Sequence, residues 1–396
     1  MISVKEARHI ILQNIQDFGT ETIPFVEATG RILKEDVVAD RDFPPFNRVA
    51  MDGIAINYQF FKQGIRDFKI EGIQPAGSQQ KTMVNIENCY EVMTGAVLPN
   101  NCDTVIRYED VEISNNKATI LIDKITKGQN IHIQGSDKAK GALLIPKNAV
   151  ISAAEIGVIA TVGKSKITVA KQPKVIVIST GDELVNVASV PAAHQIRRSN
   201  VHTLVSLLEQ LKISCNNRHI VDNETILKNT IEQYLQHYDV LLFSGAVSKG
   251  KFDFLPKVLE ELGVEKQFHK VAQRPGKPFW FGQTKNCKVF AFPGNPISTF
   301  VNCLAYFYPW YYQSVGLKRS EQTAILKEEV TFKPNLTCFL QVKLENENGS
   351  LLATPIQTNG SGDLASLVKA DGFIELPQAE KIKFEKGTVY TVITYR

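Results

Sequence analysis

The chain has 396 residues, 43% of them hydrophobic and 22% charged, the balance of a folded globular protein of several domains. That balance excludes a mostly disordered chain, a collagen-like repeat and a small disulfide-stapled fold. Lysine and arginine number 45 against 41 aspartate and glutamate, and a net charge of +4 over this length does not mark a nucleic-acid binder.

Ser3 and Glu6 stand three apart in front of Val4, Ala7, Ile11 and Ile15. This spacing predicts a capping box and an amphipathic helix, with Gly19 as its stop. From about residue 23 to 150 the texture changes to short β-branched stretches, such as 68–73 and 118–122, between Gly, Pro and Asn punctuation. It reads as mainly β structure with loops and short helices. Residues 141–146 close that region, and Ser152 with Glu155 opens a second capped helix over 156–160.

Beyond Lys171 strands and helices alternate. Residues 175–179, 239–244 and 288–293 are apolar runs suited to strands buried on both faces, and 213–221 is strand-like. Helices are predicted over 199–211, 223–237, 253–263 and 296–312. Alternation of this kind implies a doubly wound, mainly parallel sheet. The last eighty or so residues return to strand texture, a small β domain or barrel. The expected fold class is therefore multidomain α/β, with a doubly wound domain joined to an N-terminal helical linker domain, a β-rich domain and a C-terminal β-barrel.

The first nine residues carry charges where a secretion signal would need an apolar core. The longest apolar candidate, 305–312, is short and broken by Pro309, whereas a membrane span needs roughly 18 apolar residues. Six scattered cysteines include no Cys-x-x-Cys pair, and the seven histidines show no zinc spacing. The expectation is a cytoplasmic protein with reduced thiols, no structural metal, no membrane and no nucleic acid.

The three apolar strands all run into unusual loops: Ser179-Thr-Gly-Asp182-Glu183, Ser244-Gly245-Ala-Val-Ser248-Lys-Gly and Pro293-Gly294-Asn295-Pro296-Ile-Ser298. In open parallel sheets ligands bind at the carboxyl ends of strands, and such loops turn backbone N–H groups toward anions. Asp182, Glu183 and Asp253 would repel a phosphate unless a cation stood between them, which points to Mg²⁺. Asp182 and Asp253 also suit helix caps or turns. Lys270, Arg274 and Lys277 supply positive charge, the last two held extended by Pro275 and Pro278. A P-loop, a dinucleotide fingerprint and a Gly-x-Ser-x-Gly elbow are all lacking.

Eight segments together resemble the molybdopterin molybdenumtransferase family, the bacterial MoeA proteins and the E domain of gephyrin. They are FPPFNRVAMDGIAI (43–56), VMTGAVLPNNCDTVIRYED (92–110), NIHIQGSDKAKG (130–141), STGDELV (179–185), QIRRSN (195–200), SGAVSKGKFD (244–253), KVAQRPGKPFWFG (270–282) and AFPGNPIS (291–298). The resemblance implies four domains: a discontinuous linker and dimerisation domain (1–45 and 134–170), an inserted β-rich domain (46–133), a molybdopterin-binding α/β domain (171–315) and a C-terminal β domain (316–396). It implies a Mg²⁺-dependent insertion of molybdate into adenylylated molybdopterin with release of AMP, and a homodimer whose active site is shared between subunits. By position, Asp52, Thr94, Asp137, Glu183 and Asp253 look like the catalytic cleft, with Glu183 and Asp253 on the metal. Asp182, Ser199, Asn200, Ser244, Gly245, Ser248, Lys270, Arg274, Lys277, Pro293, Gly294, Asn295, Pro296, Ser298 and Ser361 look like contacts to pterin phosphate, AMP and molybdate.

Three positions depart from the family pattern. Arg198 stands where an aspartate is common, Ala246 where a second glycine is usual, and Gln341 where an arginine is frequent. If that aspartate binds metal, Arg198 would expel the ion; if it orients substrate, Arg198 can meet phosphate directly, and the retained acids favour the second. Two other readings stay open: a non-catalytic dimeric scaffold, which would tolerate Arg198 and Gln341, and the adenylyltransferase step, which the long flanking domains disfavour.

Overall fold

The computed structural model describes residues 1–245, 247, 254–380 and 382–396. The Ser3 capping box forms: Glu6 accepts from the Ser3 amide at 2.7 Å, and the Ser3 hydroxyl caps the Glu6 amide of the helix Val4–Gln13. That helix ends at Asn14, five residues before Gly19, which instead takes positive φ ahead of the strand Thr20–Pro24. Thr20–Pro24 pairs antiparallel with Lys166–Ala170, so two distant stretches of chain share a ladder. Ser152 and Glu155 form the second capping box, on a helix that begins at Ala153 and runs to Thr161.

Between these stretches lies a six-stranded sheet built from residues 53–120, with Ile54, Phe68 and Ile106 in its core. The strand Lys117–Ile120 covers only part of the predicted 118–122.

The doubly wound sheet has the order Cys215–Ile220, Val175–Thr180, Val240–Ser244, Lys288–Phe292, Trp280–Gln283, Glu265–His269. The first four are parallel, and Val175–Thr180, Val240–Ser244 and Lys288–Phe292 are buried at every position. Helices cover both faces, which is why these strands read as unbroken apolar runs. Chain order reverses between Val175–Thr180 and Val240–Ser244, the switch point of the sheet. The last two strands are antiparallel additions at the edge, absent from the sequence reading.

The predicted helix 296–312 is interrupted. It runs as Pro296–Asn302, a π-helical turn Cys303–Phe307, then Tyr308–Ser314. Pro309 has no N–H to give, so the Ala305 carbonyl is released from the ladder and instead accepts from Arg8 Nε at 3.4 Å. Arg8 also pairs with Glu375 at 2.6 Å, fastening the first helix to the C-terminal domain.

That C-terminal domain closes on itself: Thr337–Glu347, Ser350–Pro355, Gln322–Leu326, Val389–Thr394 and Gly372–Leu376 pair in a ring, because Thr337–Glu347 also pairs with Gly372–Leu376. The two-residue strand Gln273–Arg274 joins this barrel in parallel with Thr337–Cys338, although it belongs by sequence to the α/β domain.

Candidate active site

A cavity of about 1070 Å³ lies where the carboxyl ends of the parallel strands face the barrel. Its volume is at the upper end of the range for small-molecule sites. Of the residues singled out from sequence, Glu183, Ser199, Asn200, Ser244, Gly245, Arg274, Lys277, Pro293, Gly294, Asn295, Pro296, Ser298 and Ser361 line it. Asp182 and Lys270 do not. Asp182 accepts the Asp222 amide at 3.0 Å, a turn role. Lys270 has φ +77° and exchanges backbone bonds with Ile2 and Phe279. Ser248, Asp253 and the Ala246 replacement lie outside the described residues.

Gly181 shapes the first loop. Its φ is +129°, and a Cβ there would come within 2.6 Å of the Glu183 carboxylate. The carboxylate therefore folds over a space that only glycine leaves open. The second and third loops are tied together by Asn200. Its amide donates to the Gly294 carbonyl at 2.7 Å and to Ser244 Oγ at 2.9 Å, while Thr299 Oγ1 donates to the Pro293 carbonyl. Asn200 thus fastens loops, a role that spacing alone did not suggest. Ser361 reaches in from the barrel: its hydroxyl accepts from Asn295 at 2.9 Å, and its carbonyl accepts from the Ile297 amide.

The cationic loop rests on a buried platform. Gln273 donates to Asn302 Oδ1 at 2.7 Å and to the Pro275 carbonyl at 3.0 Å, while Asn302 donates to the Gly276 carbonyl and the Tyr306 hydroxyl donates to Gln273 Oε1. Gly276, at φ +90°, leaves no room for a Cβ against these amides. Gln273 and Asn302 are fully buried, so Arg274 and Lys277 project from a fixed base. Sequence reasoning missed this platform; a lone asparagine inside the apolar run 297–307 was the available signal.

The described lining carries Arg197, Arg198, Arg274 and Lys277 against Glu183 and Asp222. Such an excess of positive charge favours anionic ligands. His219, bonded to Ser179 Oγ at 3.1 Å behind this wall, is held below the ordinary histidine value by burial first and by the Arg198 cation second. Phe332, Leu336 and Phe339 give the barrel side an apolar surface. Gln341, 4% exposed, donates to Ser366 Oγ at 2.9 Å.

No cluster of three or more His, Cys, Asp or Glu side chains suited to a metal forms among the described residues. Mg²⁺ is commonly held by one or two carboxylates together with phosphate and water. Glu183 on the cavity wall supplies one such oxygen donor, so the donor chemistry fits a Mg²⁺–phosphate complex.

Asp52, Thr94 and Asp137 stand apart from this cavity. Asp52 Oδ1 accepts from the Thr94 amide at 2.6 Å and its hydroxyl at 2.7 Å, and these bonds hold the Asp52 carboxyl below the usual aspartate range. Asp137 accepts from His132 Nε2 at 2.8 Å; Arg48 donates to His132 Nδ1 at 3.1 Å, which fixes that tautomer.

Comparison with known proteins agrees along the whole chain. Family models described as "MoeA N-terminal region (domain I and II)", "Probable molybdopterin binding domain" and "MoeA C-terminal region (domain IV)" match residues 2–163, 176–310 and 323–395. A molybdopterin molybdenumtransferase from Synechocystis sp. is 39% identical over 98% of this chain and 99% of its own. One from Haemophilus influenzae is 30% identical over 99% and 98%. A crystal structure of a molybdopterin biosynthesis MoeA protein from Pyrococcus horikosii superposes with a TM-score of 0.84 at 30% identity, covering 100% of this chain and 99% of that one.

Proposed function

Since the chain belongs to the molybdopterin molybdenumtransferase (MoeA) family, we propose that it inserts molybdate into adenylylated molybdopterin with release of AMP. The observation that carries this reading is one cavity lined by opposed charges: Glu183 and Asp222 on its wall with Arg197, Arg198, Arg274 and Lys277. Such a lining suits two anions held together, a phosphate ester and a tetrahedral metal oxyanion.

In this reading Arg274 and Lys277 receive molybdate. A cation about 4 Å from an oxyanion gains roughly 4 kcal/mol at an effective dielectric near 20. The Gln273–Asn302 platform fixes the backbone from which both side chains rise, which lowers the reorganisation needed to stabilise a charged intermediate. Glu183 and Asp253 would hold Mg²⁺, which supplies charge neutralisation at the phosphoanhydride. The Asn295–Ser361 hydrogen bond ties the barrel to the third loop at the cavity wall. A second copy of the chain brings Asp52, Thr94 and Asp137 to the cavity that this copy leaves without them, making a homodimer the working unit. The six unpaired cysteines, five of them buried, suit the cytoplasm.

The test is product analysis. Purified protein given adenylylated molybdopterin and Mg²⁺ should release AMP only when molybdate is added. AMP release that ignores molybdate, or pyrophosphate formed from ATP, would overturn the proposal.

A further inference from the structure

The cavity has two cationic poles, and the sheet order sets them apart. Arg274 and Lys277 come from the loop joining the antiparallel strands Glu265–His269 and Trp280–Gln283. Arg198 follows the short strand Ile196–Arg197, whose partner Leu184–Val185 continues from the end of Val175–Thr180. Three strand spacings separate Val175–Thr180 from Trp280–Gln283, roughly 14 Å at about 4.8 Å each. The two loops therefore leave the sheet at different places and bring their cations to the cavity from different sides.

The Arg198 guanidinium makes no ion pair or hydrogen bond with a described residue, and its Nε is enclosed with no partner. Arg197 beside it is by contrast occupied, its Nε donating to the Ser189 carbonyl at 3.1 Å. A guanidinium kept on a cavity wall without a protein partner has donors left for a ligand. The next residue, Ser199, makes no side-chain cap on the helix Asn200–Gln210, so the first amides of that helix face the same space uncapped. Arg198 also adjoins the switch point of the sheet, where open α/β sheets place nucleotides.

We propose that Arg198 binds the phosphoryl oxyanion of the nucleotide ester, beside the place proposed above for molybdate at Arg274 and Lys277. Glu183 agrees with this placement. It lies on the Arg198 side, its carbonyl accepting from the Ile196 amide at 2.9 Å, and its carboxylate would repel a bare oxyanion while suiting a Mg²⁺-bound phosphate. The inference rests on the function proposed above and names which chain group reads the phosphate.

Calorimetric titration of the full-length protein with AMP, adenosine and molybdate separately tests it. Arg198→Gln should weaken AMP about tenfold or more, flatten the dependence of AMP affinity on salt, and leave adenosine and molybdate within about twofold. Arg198→Lys should recover part of the AMP affinity, since an ammonium keeps the charge without the fork of donors. Unchanged AMP affinity in a folded Arg198→Gln protein overturns the assignment, as does a loss confined to molybdate. Wild-type protein that binds no AMP overturns the proposed function as well, whereas AMP bound equally by both proteins sinks only the role of Arg198.

Discussion

Glu183 reaches its place because residue 181 has no side chain. Replacing Gly181 with alanine puts a methyl group against the carboxylate at 2.6 Å and asks an L-residue to hold φ +129°. Gly181→Ala should therefore lower turnover by about tenfold, a barrier change of about 1.4 kcal/mol, and raise the Mg²⁺ concentration needed for half-maximal rate. Steady-state AMP release over a Mg²⁺ titration measures both. Asp52 offers a second test at this scale. Its bonds to Thr94 depress its pKa, so the stability they contribute is present above the unfolded aspartate value of ~3.9 and is lost as pH falls through the lower folded value. Thr94→Val removes one of the two bonds, and carboxyl NMR should show the Asp52 titration moving up toward the ordinary range.

Among the elements, the buried amide pair behind the cationic loop is the one most exposed to a single change. Asn302→Ala removes one of the three hydrogen bonds of Gln273 and leaves the Gly276 carbonyl without its Asn302 donor in a dry setting, a cost of about 1–3 kcal/mol. Thermal melting should register that loss, and molybdate affinity should fall with it because Arg274 and Lys277 lose their base. Little of this was visible in sequence, since Gln273 and Asn302 are 29 residues apart and meet only after the helix docks. The parallel strands were legible for the opposite reason: burial on both faces forces uninterrupted apolar residues, as at Val175, Ile176, Val177 and Ile178. The edge strand Glu265–His269 buries only Phe268 fully, and in Trp280–Gln283 the Trp280 ring lies against Gly282, so neither shows a strand pattern of its own. The loops at the strand ends could be read from Gly, Pro and Asn spacing, but not which residue would fasten which, as Asn200 does.

For the molecule as a whole, the separation of Asp52, Thr94 and Asp137 from the cavity gives the sharpest expectation. In a homodimer with shared sites, Asp52→Ala and Glu183→Ala proteins are each inactive, yet a heterodimer of the two keeps one intact site. Mixing them after dissociation should restore roughly a quarter of wild-type turnover, as random pairing makes half the dimers mixed. No recovery would mean that each chain works alone. Acid is a further global test. His219 and His269 are both held below the ordinary histidine value by burial, so their protonation opposes folding. Stability should start to fall as pH drops below about 6.5 and continue to the depressed values, which denaturant midpoints across that window can follow.

The segment that carries Arg274 is gripped on two sides. Ile2 bridges Val271 on one flank, and on the other the Thr337 amide donates to the Ala272 carbonyl while Gln273–Arg274 runs alongside Thr337–Cys338. The barrel is thus tied by backbone bonds to the very loop whose guanidinium lines the cavity, while the Gln273–Asn302 pair ties the same loop to the α/β domain. One short ribbon therefore rivets the two domains together at the rim of the cavity, and cutting either set of bonds would loosen both.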